Sequence, residues 1–186
     1  MKKLPVYALY PIVLGGVCLV CGATLALVNF ATENKIAENN VIKAKRAVTA
    51  VLEQNELAAK NESSMITIDW KEGEEHSNLN SRMKIECTDG STYYYYNATT
   101  PKGYSGTVTF GALTSPNGQS IIGFSYITGD EDSTGLSAAK KIYASSFPYS
   151  PGGVITSGQT AQKTIPVITS TLDKIIANAI TLASGN

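Results

Sequence analysis

From Leu4 to Ala31 the chain carries no charged side chain, an uninterrupted run of 28 residues. About 20 predominantly apolar residues suffice to take a helix across the hydrocarbon core of a bilayer. Lys2 and Lys3 precede the run, and Tyr7 and Tyr10 suit one membrane interface. A cleaved secretory signal is the rival reading, but its apolar core spans only about 7–15 residues. The expectation is therefore a retained single-pass transmembrane helix within residues 1–31. Cys18 and Cys21 lie inside the run with C-x-x-C spacing. With no second ligand pair, they read as two small apolar residues on one helix face rather than a zinc or redox site. Basic residues stand on both sides, Lys2 and Lys3 before the run and Lys35, Lys43, Lys45 and Arg46 after it. Charge alone does not orient the span.

Beyond the run, Ala37, Val41, Ala44, Val48 and Val51 recur at intervals of four, three, four and three. That period predicts an amphipathic connecting helix over residues 32–60, reaching about Ala59. Its apolar face packs on its own domain or on membrane partners; both readings stay open here.

Residues 61–186 form the remaining domain. The whole chain has 15 basic and 15 acidic side chains, a balance that gives no reason to expect a nucleic-acid partner. Cys87 is the one cysteine beyond the apolar run, so no disulfide framework is expected. Met65–Trp70 alternates like a short strand, and Lys71–Ser81 reads as a charged loop holding the single histidine, His76. Two strands follow around Asp89-Gly90, and the tetrad Tyr93–Tyr96 places alternate rings on opposite faces. Thr107–Leu113 and Ser120–Ile127 flank Pro116-Asn117-Gly118, a hairpin signal. A short helix is expected from near Ser137. Ile165, Ile168, Leu172, Ile175 and Ala179 then mark a final helix, with Thr164 as its N-cap and Pro166 in its first turn. The fold class is α+β, an antiparallel sheet with packed helices.

Immediately before that helix stands Ser157-Gly158-Gln159-Thr160. A helix N-terminus presents unpaired N–H groups and partial positive charge, which favour phosphate. Gly158 permits an unusual turn, and Ser157 and Thr160 add hydroxyls. Ordinary helix capping accounts for the same residues.

The order of the motifs resembles the FMN-binding family that includes the G subunit of Rnf electron-transport complexes and the C subunit of sodium-pumping NADH:quinone reductases. The likeness begins with the apolar span running into "NFATENKIAEN" and continues in "GYSGTVTFGALTSPNGQSIIGFSYI". "DSTGLS", Asp132 to Ser137, is similar to the family's E-T-P-G-L-G loop, and "SGQT" is similar to its S-G-A-T flavinylation motif. The resemblance implies an anchored, extracytoplasmic FMN-binding domain that carries electrons among other membrane subunits of an Rnf-type, ion-translocating complex. It also implies a flavin transferase that joins FMN to Thr160 through a phosphoester. The other cofactor contacts would be Ser157, Gly158 and Gln159, with Thr134, Gly135 and Leu136 against the ring. The protein would then be an electron-transfer subunit rather than a stand-alone enzyme.

The chain departs from the family pattern at Gln159, Val154, Gln162, Thr134 and Ser137. Gln159 and Val154 bear on recognition by the transferase, so covalent and non-covalent FMN both remain open. The alternative is a non-redox assembly or binding module with a degenerate flavin site. A hydrolase built on Ser157 or Ser133 lacks a histidine near either in sequence.

Overall fold

The computed structural model describes residues 6–185, and between residues 6 and 45 the side chains of 10 and 14–29 only. Lys2, Lys3 and Leu4 lie outside the described residues, as do the side chains of Ala37, Val41 and Ala44. The first helix, α1, spans Val6–Gln54. Two compact units divide the chain, Met1–Ile42 and Lys43–Asn186.

In the first unit the described apolar side chains are exposed, Leu19 at 73% and Leu25 at 71%. Leu14–Asn29 is a short apolar helical stretch. Among the described residues, one helix is long and apolar enough to cross a membrane by length and composition, and it is the last, Thr164–Ala183. In that helix one face is taken up by the core of the second unit.

The second unit takes in the last turns of α1, where the sequence reading began the domain at residue 61. Helix α1 ends at Gln54, five residues short of the expected Ala59. Glu56 adopts a left-handed φ of 56°, and Leu57 N–H reaches back to Leu52 C=O at 2.9 Å. This is a Schellman termination without its usual glycine.

Five antiparallel strands follow in a meander: β1 (Met65–Ile68), β2 (Leu79–Glu86), β3 (Thr92–Thr99), β4 (Val108–Thr114) and β5 (Ile121–Gly129). The expected hairpins are both present. In the second, Gly118 holds φ at +71°, and a methyl there would meet the Ala179 backbone at 2.6 Å, so the turn seats closely on the last helix. Helix α2 covers Ser133–Lys140 and α3 covers Thr164–Ala183.

The sheet is covered on both faces. Tyr93 and Tyr95 of β3 join Ile85, Leu113 and the α1 residues Ala47, Val48, Val51 and Leu52. Tyr96, with Phe110, Ala112 and Phe124, packs against Ile168, Leu172, Ile175 and Ile176 of α3. Full burial of such aliphatic side chains contributes about 1.5–3 kcal/mol each. The alternation read from the tyrosine tetrad thus holds, and three of its four rings are buried.

Candidate functional site

The Gly-Tyr-Ser-Gly motif, Gly103 to Gly106, folds around a buried carboxylate. Glu131 accepts the backbone N–H of Tyr104 at 2.9 Å, of Ser105 at 2.7 Å, of Gly106 at 3.3 Å and of Asp132 at 3.0 Å. The Ser105 hydroxyl adds a bond of 3.0 Å. Burial by itself raises the Glu131 pKa. The donors from Asp132, Ser105 and Gly106 outweigh it and hold the group at about 2. A methyl on Gly103 would lie 1.9 Å from Glu131 Oε2, which explains the glycine. The sequence reading missed Glu131, because its partners in the Gly103–Gly106 loop stand 25 to 27 residues away.

The next residues open α2. Asp132 caps the helix by accepting Gly135 N–H at 2.7 Å, so α2 starts at Ser133, four residues before the expected onset near Ser137. Gly135 is buried within this helix rather than in an open loop. A methyl there would meet Glu131 Cγ at 2.3 Å and Thr164 Oγ1 at 2.6 Å. The space that its missing side chain leaves is filled by the protein itself. Leu136 packs against the core on the α3 face of the sheet. Gly135 and Leu136 thus have packing partners within the protein itself.

The Ser157–Thr160 turn is held from one side. Ser157 forms an isolated bridge with Ile142, and Tyr143 N–H bonds Thr156 C=O at 3.0 Å. The Ser157 hydroxyl donates to Gln159 C=O at 2.6 Å and so closes its own turn. Gly158 does not have a positive φ, contrary to the unusual turn expected of it. A methyl there would meet only the Tyr143 hydroxyl at 2.8 Å and Lys141 Cδ at 3.2 Å within 3.4 Å. Thr164 is the first residue of α3 and is not its cap; Lys163 takes that position with helical φ and ψ and no side-chain cap bond.

These segments converge on one depression of about 240 Å³. It is lined by Tyr104 from the Gly-Tyr-Ser-Gly loop, Asp132 and Thr134 from the start of α2, and residues 160–164 leading into α3. Two of the seven predicted site residues, Thr134 and Thr160, meet there. Ser157, Gly158, Gln159, Gly135 and Leu136 are not among its lining residues. Tyr104 is 66% exposed, and Lys163 Nζ sits 5.3 Å from its ring centre. Hydroxyls, an ammonium group and the start of a helix suit an anion. An exposed ring beside them offers a planar ligand a stacking surface.

A second polar centre lies on β2. Arg82 is almost fully buried, forms a two-pronged ion pair with Glu74, and donates to Asp69 C=O at 2.8 Å and Asn178 Oδ1 at 3.0 Å. Its guanidinium lies 4.3 Å above the Trp70 ring, which stacks on His76. Tyr96 also donates to Asn178 Oδ1 at 2.8 Å. The bonds from Arg82, working against burial, hold the Glu74 carboxyl at about 2. These bonds tie the 69–78 loop to β2, β3 and α3, and leave the buried Arg82 Nε without a partner. His76 stays exposed and is a ring partner in this stack.

Comparison with protein-family models, with curated proteins and with solved structures finds no match to this chain.

Proposed function

We propose that this protein is a membrane-anchored flavoprotein subunit that passes electrons through FMN within an Rnf-type complex. The observation that carries the reading is the convergence of Thr134 and Thr160 on one depression. They come from the two motifs on which the family resemblance rests, and 26 positions of sequence separate them. The lining fits the group. Thr160 is exposed and stands just ahead of α3, where a phosphoester would keep one negative charge beside Lys163 and the helix start. Tyr104 supplies a face for the ring. FMN, when bound, supplies the electron-accepting and electron-donating chemistry; the chain attaches and orients it. The 131–135 clamp fixes the Tyr104 loop against α2 and so sets the width of the opening. The anchor is the apolar, exposed stretch of α1, and the second unit stands on the extracytoplasmic side among other membrane subunits.

The intact mass of protein made in cells holding its flavin transferase tests the reading. The expected gain is one FMN less one water, on the peptide from Thr156 to Lys163, and Thr160→Ala abolishes it. A protein that stays unmodified in such cells and has no affinity for free FMN overturns the assignment.

A second reading, a non-redox assembly module, is favoured by one observation. Gly135 is closed in by Glu131 and Thr164, and Leu136 packs against the core, so both residues have structural roles that need no ligand. This reading expects complexes with membrane partners that are unaffected by Thr160→Ala.

A further inference from the structure

The sheet has two edges, and they are built differently. The β1 edge is four residues long. The β5 edge is nine residues long, the longest strand in the sheet, and its sequence IIGFSYITG contains no proline and no charge. Natural edge strands are usually shortened, charged, interrupted by proline or covered, because an open row of N–H and C=O groups pairs with any extended backbone. On its outer side β5 is paired at Ile121, which exchanges two 2.8 Å backbone bonds with Tyr149. Among the described residues, no other backbone bond reaches that side of β5.

The β4–β5 register slips at Ile122 and at Ile127, each an extra residue on β5, and leaves Gly123–Tyr126 as a regular run between two bulges. A depression opens at each bulge. The one of about 430 Å³ is lined by Ile122, Phe124, Ile142, Phe147 and Gln54, among others. The other, about 290 Å³, is lined by Arg46, Ala47, Ala50, Ser125, Tyr126 and Ile127. Lys140 lies 5.2 Å from the Tyr126 ring centre. The open edge is thus a backbone ladder with an apolar socket at one end and cations at the other.

We propose that the outer edge of β5 over Gly123–Tyr126 accepts an extended segment of a partner protein as a sixth strand. Free backbone donors and acceptors at strand spacing select an extended peptide. The sockets define its side chains. The first socket takes in Phe124 and Phe147 of the α3 face together with Ile122 and the α1 residue Gln54, and the second holds Arg46 of α1 beside Ser125, Tyr126 and Ile127. The two sockets centre about three residues apart along β5, at strand spacing. The segment therefore carries a large apolar residue and, three positions away, an acidic one. A second copy of this chain fits poorly. Its Phe124, Ile122 and Ile127 are already packed in their own core and leave nothing to fill the sockets. This inference does not rest on the flavin reading and survives its failure.

The test uses the full chain in detergent micelles and the fluorescein-labelled peptide TVFTVDVT. Saturable binding by anisotropy is expected, with slower hydrogen exchange at the outward-facing amides of residues 123–126. Arg46→Glu should weaken binding about tenfold, equivalent to about 1.4 kcal/mol, and a lysine in place of the peptide aspartate should restore it. Ser125→Pro, which disrupts the paired run, should abolish binding. Arg46 is exposed, so the charge swap stays decisive even where the proline variant does not fold. No saturable binding, exchange unchanged at saturation, or indifference to the charge swap overturns the proposal. So does a free protein that sediments as a dimer whose contact is lost in Ser125→Pro, because the edge is then occupied by a second copy.

Discussion

Glu74 and Glu131 are both held at a pKa of about 2, by opposite means. Glu74 faces a cation. Its partner Arg82 is buried and has its charge balanced by this partly exposed carboxylate. Among the described residues Glu131 has no ion-pair partner; its charge is spread over four backbone N–H groups and one hydroxyl. A charge pair concentrates its stabilisation in one bond that either partner can break. A ring of backbone dipoles divides it among donors, several of which can turn to water. The first arrangement staples elements of the core together. The second shapes a loop, and that loop borders the depression containing Thr160.

The largest effect is therefore expected at Arg82. Arg82→Ala leaves a carboxylate without its charge partner and removes the bonds to Asp69 and Asn178. A loss of about 3–5 kcal/mol of stability is expected. Trp70, the single tryptophan, lies under the guanidinium, so its fluorescence reports the loss directly as well as the unfolding curve. An unchanged unfolding midpoint would mean that the network is ornamental.

Glu131→Gln should cost less, about 1–3 kcal/mol, because an amide presents N–H groups where N–H groups already converge. The pH profile separates the two carboxylates. Each has a folded pKa below the ordinary value of 4.5, so the unfolded chain takes up a proton first as pH falls. Both contributions are complete above about pH 4.5 and are lost between there and about pH 2. Glu131→Gln should flatten one share of that fall, and Arg82→Ala the other. Gly103→Ala attacks the same ring from the opposite side and should cost about 1–3 kcal/mol by overpacking. Combined with Glu131→Gln it should cost less than the sum, since both variants damage one contact. Combined with Arg82→Ala it should add, the two sites sharing no partner.

The same contrast explains what could be read along the chain. Both hairpins, the tyrosine alternation and the α3 stripe were legible because each depends on neighbours within about four residues or on a period. The end of α1 was not, because Glu56 takes a left-handed conformation that glycine usually marks. The start of α2 was displaced because Asp132 was read as loop rather than cap. Arg82 gave no sign of burial, its partners lying 8, 13 and 96 residues away. Thr134 and Thr160, which line one depression, belong to motifs that stand out in the sequence. Glu131, which organises the loop beside them, carries no local pattern at all.

The smallest effect is expected at Gly158, and it separates a turn glycine from a spacing glycine. Were its backbone left-handed, alanine would be strained by about 1 kcal/mol or more. Its φ is ordinary, and an added methyl meets the far end of the Tyr143 side chain, which can swing aside. Removing a glycine also narrows the unfolded ensemble, which stabilises by about 0.4–1 kcal/mol at compatible positions. The two terms nearly cancel, so Gly158→Ala should move stability by less than about 0.5 kcal/mol in either direction. Its effect belongs elsewhere. If a transferase must reach Thr160, a methyl two residues away that pushes Tyr143 aside alters its approach without altering the fold. A flavin yield that falls while the unfolding curve stays put assigns this glycine to access. A curve that moves by 2 kcal/mol would return it to the backbone.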